Sequence, residues 1–156
     1  MKLTIVFVLA AFVICSCGSE KSTTVSAPTV LPIEGSWKLL SGTLIEKGDT
    51  TVTDYTQKLS FIKIINASHF AFLNHDVNKG KDSATASFGA GGGSYILKDS
   101  LYTEHLEYCN DRQWEGNDFA FTVTIKNDTL VQTGVEKVES AGVNRLNIEK
   151  YVRVKE

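Results

Sequence analysis

Apolar and polar residues alternate over short spans of this chain, and no span keeps a helical period for three turns. The clearest case lies at 119–125. Phe119, Phe121, Val123 and Ile125 fall on one face, and Ala120, Thr122 and Thr124 on the other. A period of two is the geometry of a strand with one buried side. Residues 101–109 alternate less cleanly. Tyr102, Glu104, Leu106 and Tyr108 share one face, and Leu101, Thr103, His105 and Glu107 share the opposite one. A strand that mixes aromatic, charged and apolar residues on both sides suits a wall whose inner surface is semi-polar. Further runs rich in Thr, Ile, Val and Phe occupy 35–45, 50–55, 59–65, 69–73, 83–88, 94–97, 129–138 and 144–154. Turn-forming clusters separate them, among them Glu46-Lys47-Gly48-Asp49, Lys98-Asp99-Ser100 and Asn127-Asp128.

The pattern predicts an all-β domain of about eight to ten short strands, joined mostly by hairpin-length turns. A sheet that long removes its edges by closing, so the fold class is an up-and-down antiparallel β-barrel. A barrel of this size has room inside for side chains or one small ligand. The glycine-rich stretch 89–93 precedes a strand rather than a helix. It is therefore expected to form a loop or bulge at the rim and not a phosphate cradle.

The first residues carry a different message. Lys2 is followed by an apolar run, 3–14, then Ile14-Cys15-Ser16-Cys17 and Gly18-Ser19. A basic start, a short apolar stretch and small residues at the cut describe an export signal. The tetrapeptide resembles a bacterial lipoprotein lipobox. That resemblance implies cleavage before Cys17 and a lipid on its sulfur, with acyl chains such as palmitate holding the protein to a membrane. The expected layout is a signal peptide over 1–16, a lipidated Ser/Thr-rich tether over 17–32 containing Pro28 and Pro32, and a domain over 33–156. The expected location is the bacterial cell envelope, lipid-anchored at the outer membrane.

Composition narrows the partners. The 156-residue chain has a formal net charge of −2, so no basic face for nucleic acid is implied. Of its 3 cysteines, Cys15 leaves with the signal and Cys17 takes the lipid. Cys109 then stands alone, expected as a buried apolar-like thiol in a domain without an internal disulfide. No Cys or His doublet has metal-ligand spacing, and no Gly-x-Ser-x-Gly elbow is present. No metal, cofactor or enzymatic activity is predicted.

Gly35-Ser36-Trp37 opens the first strand, and Arg153 lies in the last, within Tyr151-Val152-Arg153-Val154. Together with Ser68-His69-Phe70-Ala71, Gly91-Gly92-Gly93-Ser94-Tyr95 and the run 102–108, these residues resemble the lipocalin-like domains of exported Bacteroidetes lipoproteins. The resemblance covers residues 33–155. It implies that Arg153 stacks over Trp37 to plug one end of the barrel, a structural role. The inner wall is expected to offer Tyr95, Tyr102 and Glu104, with His69, as ligand-binding groups. Tyrosine gives an apolar body with a polar tip, and one carboxylate or imidazole orients a ligand.

The first functional reading is a carrier of a small apolar or amphipathic ligand, held to the membrane by its N-terminal lipid. Two others compete. An interaction protein would work through loop 110–118, with exposed Trp114 as anchor for a protein partner. A barrel enzyme, such as an isomerase or haem protein, would use Glu104 or His69 as base.

Overall fold

The computed structural model describes residues 31–155. The expected signal peptide, Cys17 with its lipid and the tether up to residue 30 lie outside these residues. Nine strands follow in order: β1 (Gly35–Glu46), β2 (Asp49–Asp54), β3 (Leu59–Ile65), β4 (His69–Asp76), β5 (Phe88–Lys98), β6 (Leu101–Cys109), β7 (Asp118–Lys126), β8 (Thr129–Val138) and β9 (Val143–Arg153). All pairings are antiparallel between neighbours, and β9 returns to pair with β1. The result is a closed eight-strand antiparallel barrel. β2 stands outside the ring. It shares an edge of β1 with β3, pairing where β3 leaves off.

Local chemistry sets the turns. Three hairpins close through two residues, Lys47-Gly48, Asp99-Ser100 and Asn127-Asp128. Lys47, Gly48, Asp99, Asn127 and Asp128 take positive φ, which matches the twist of the flanking strands. The long β1 bends at a bulge between Leu39 and Ser41, where it changes partner from β3 to β2.

The barrel is sealed at the end where the chain enters. Trp37 is fully buried, and its indole N–H donates to Ile33 O at 2.7 Å. Arg153, directly opposite on β9, lies over the ring with its guanidinium carbon 4.1 Å from the centroid. Leu39, Tyr102, Val123, Leu130 and Tyr151 complete a dry floor. Burying side chains of this size contributes about 1.5–3 kcal/mol each.

Three expectations about local structure are corrected. Residues 83–87 do not form a strand, and Phe88 instead opens β5. Asp82 accepts from the Ala84 and Thr85 groups, and Asp76 accepts from Gly80 and Ser87 N–H, so side-chain carboxylates draw these amides into turns. The glycine-rich stretch is not a rim loop but part of β5. It pairs on both edges, with the bulge on its partner β6 instead. That bulge, at Glu107, reverses the alternation of β6. Tyr108 therefore points outward and is 68% exposed, while Cys109 turns in.

Candidate ligand-binding site

Above this floor the barrel interior holds a half-open cavity of about 250 Å³. Its apolar wall is largely aromatic. Phe61 stacks on Phe72, with centroids 5.6 Å apart and planes 9° from parallel, and meets Tyr151 edge-on at 6.1 Å. Phe119 and Phe121 come from the alternating face of β7. Gly91 makes the aromatic stack fit, since a Cβ there would meet the Phe72 ring at 2.6–2.7 Å.

Trp114 covers the mouth. It sits in a short 3-10 turn between β6 and β7, 5.7 Å from the Phe119 ring, with the Arg145 guanidinium 5.2 Å above it. The expectation of an exposed Trp114 anchor on loop 110–118 is corrected. The indole is half-buried because Asp111 caps the turn and Asn117 bonds back to Trp114 O, folding the loop inward.

The polar part of the cavity follows from strand register. On β9 every second residue from Arg153 back faces in, which brings Tyr151, Glu149, Asn147 and Arg145 inside. On β8 the inward set includes Gln132 and Glu136. Directly opposed pairs then bond across the two strands. Gln132 Nε2 donates to Glu149 Oε2 at 2.7 Å, and Arg145 Nε donates to Glu136 Oε2 at 2.7 Å. Asn147 adds a bond to Glu136 Oε1 at 2.7 Å, and Tyr151 OH donates to Glu149 Oε2 at 2.8 Å.

Lys63 joins the far walls. Its ammonium reaches from β3 across the interior to Gln132 Oε1 at 3.1 Å. It also makes direct ionic contact with Glu104 Oε1 on β6, off hydrogen-bond geometry. Phe70, Tyr102 and Tyr151 surround it, with ring centroids at 5.4–5.7 Å. Both partners of the ion pair are nearly fully buried, so each depends on the other for neutralisation. Burial pushes the Glu149 carboxyl up, opposed by the charge of Lys63 and the Tyr151 hydrogen bond. Burial, then the negative charge of Glu104, pushes the Tyr102 hydroxyl up.

The residues expected on the inner wall separate. Glu104 lines the cavity. Tyr102 lies in the floor beneath it, fully buried and under Lys63. Tyr95 packs on Tyr102 at 5.1 Å, but its hydroxyl donates to Asn66 O near the sealed end, away from the cavity. His69 is corrected outright. It is exposed on the outer face, bonded to Ser68 Oγ at 2.8 Å, because Phe70 and Phe72 take the inward positions of β4. His75 and His105 are exposed too. Cys109 is half-buried on the cavity wall, and burial pushes its thiol up.

Lys63, Gln132, Glu136, Arg145 and Glu149 were not anticipated from the sequence. The parity of β9 held the signal: an inward Arg153 requires Glu149 and Arg145 to face inward as well.

Fold and site together define a closed antiparallel barrel holding a capped chamber, aromatic on one side and ionic on the other. Compared with known proteins, the chain matches no family model and no curated sequence.

Proposed function

We propose that this protein is a lipid-anchored, lipocalin-like carrier of the bacterial envelope that holds a small, mainly apolar ligand in its barrel. The observation that carries the reading is the chamber of about 250 Å³ between Phe61, Phe72, Phe119 and Phe121, capped by Trp114. Apolar burial would supply affinity, and the ionic wall orientation. The volume lies just below the usual range of about 300–1,000 Å³ for ligand pockets, which favours a compact occupant. The role is binding rather than catalysis. In support, both cations of the chamber are held by carboxylates, Lys63 by Glu104 and Arg145 by Glu136. The stacked Trp37 and Arg153 support the lipocalin-like assignment, and the lipobox-like run ending at Cys17 supports the anchor and the outer-membrane location.

Native mass spectrometry of the purified full chain tests the ligand role, together with titration of the neutral dye phenylnaphthylamine. A retained adduct or saturable dye binding is expected, lost in Cys109→Trp, which fills the chamber. A wild-type chain that retains nothing and binds no dye would end the proposal. Labelled palmitate should enter the wild-type chain and not Cys17→Ala.

A further inference from the structure

The ionic wall of the chamber carries unequal charge. Glu104, Glu136 and Glu149 face two cations, Lys63 and Arg145. Lys63 is taken by Glu104 and Arg145 by Glu136. Glu149 receives only neutral donors, Gln132 and Tyr151, and both bonds fall on Oε2, leaving Oε1 available. Asp111 at the rim adds a further carboxylate.

Taking the chamber as a ligand site, we propose that its ligand carries a protonated amine on an aromatic or compact apolar body, and that Glu149 receives the ammonium. Three observations converge on this class. First, a lone carboxylate on the wall of an apolar chamber is costly unless a cation reaches it. Second, the rings nearest Glu149 present π-density that attracts a cation. Tyr151 bonds the carboxylate itself, and Phe61 lies against Tyr151. Third, each cation of the wall already faces a carboxylate, so an anionic ligand would meet net negative charge. Burial raises the Glu149 carboxyl, opposed by the charge of Lys63. The groups that bear on Glu149 are Lys63 on β3, Tyr102 and Glu104 on β6, Glu136 on β8, Tyr151 on β9, and Tyr55 beyond β2.

Three indole compounds of matched shape separate head-group charge from apolar fit: tryptamine, tryptophol and indolepropionate. Titration calorimetry on the full chain at neutral pH should show tryptamine binding about tenfold or more tighter than either isostere. Glu149→Gln should erase that preference while leaving tryptophol binding in place. Circular dichroism confirms that the variant is folded. In the wild type, acidification that protonates Glu149 should erase the preference in the same way. Equal affinities, a preference for indolepropionate, or a preference that survives Glu149→Gln would overturn the amine assignment while the chamber remains a ligand site. If none of the three binds, the amine assignment falls, and dye binding decides the chamber's role separately.

Discussion

Arg153 holds Trp37 from above while its two terminal nitrogens bond the carbonyl oxygens of Glu34 and Pro32, each at 2.6 Å. One guanidinium thus ties the last strand to the segment that leads into the first. Its planar fork makes both bonds and the stack at once, which a lysine ammonium does not.

Arg153→Met should therefore destabilise the protein by about 2–3 kcal/mol, from the lost stack and charge-assisted bonds. Arg153→Lys should recover less than half of that. Urea unfolding followed by circular dichroism measures both, and equal stability of wild type and Arg153→Met would refute the role.

Lys63 and Glu104 make a buried pair whose halves are expected to behave very differently alone and together. Lys63→Met leaves a carboxylate unpaired in the interior and should cost about 3–5 kcal/mol. Adding Glu104→Leu should restore most of the loss. A double-mutant cycle that comes out additive would show that the contact contributes no coupling.

Gly93 sits where β6 bulges. A Cβ there would strike the His105 carbonyl oxygen and come within 2.8 Å of Glu107 N, both backbone atoms that cannot swing away. Gly93→Ala should cost about 2–3 kcal/mol. Gly89, on the same strand, has nothing nearer than 3.8 Å, and Gly89→Ala should be close to neutral. Thermal melts of the two variants compare them directly.

Two carboxylates make opposite contributions to acid stability. Backbone N–H donors from Gly80 and Ser87 hold Asp76 below the usual carboxylate range. Its stabilisation is present above the unfolded value of about 3.9 and is lost as pH falls through the depressed folded value. Burial raises Glu149, so the folded state binds that proton more readily than the unfolded chain. Stability should then fall as pH rises from about 4.3 through the raised folded value. Glu149→Gln should flatten that decline. Asp76→Asn should instead flatten the loss at the acid end and speed hydrogen exchange at Gly80 and Ser87. Chemical unfolding across pH reads both slopes.

The barrel was legible wherever side chains alternate. Residues 119–125 gave β7 and its inward face because Phe119, Phe121 and Val123 leave no other reading. β5 was missed in part because glycines at 89, 91, 92 and 93 carry no pattern to read. Tyr108 was misassigned because a bulge shifts parity without any mark in the local sequence. The chamber was the least legible part. On β9 the inward positions hold Arg145, Asn147 and Glu149, while Leu146, Ile148 and Val152 face out, so a rule that sends apolar residues inside inverts the strand. Glu104 was legible as an inner carboxylate, but its partner Lys63 comes from the far side of the ring, and only closure brings the two together.

The chain joins this barrel at its stoppered base, where Leu31, Pro32 and Ile33 run beneath Arg153, and Trp114 lies at the opposite pole. Under the anchored reading proposed above, the lip would be turned away from the membrane, and cargo would arrive from the aqueous side, past the indole.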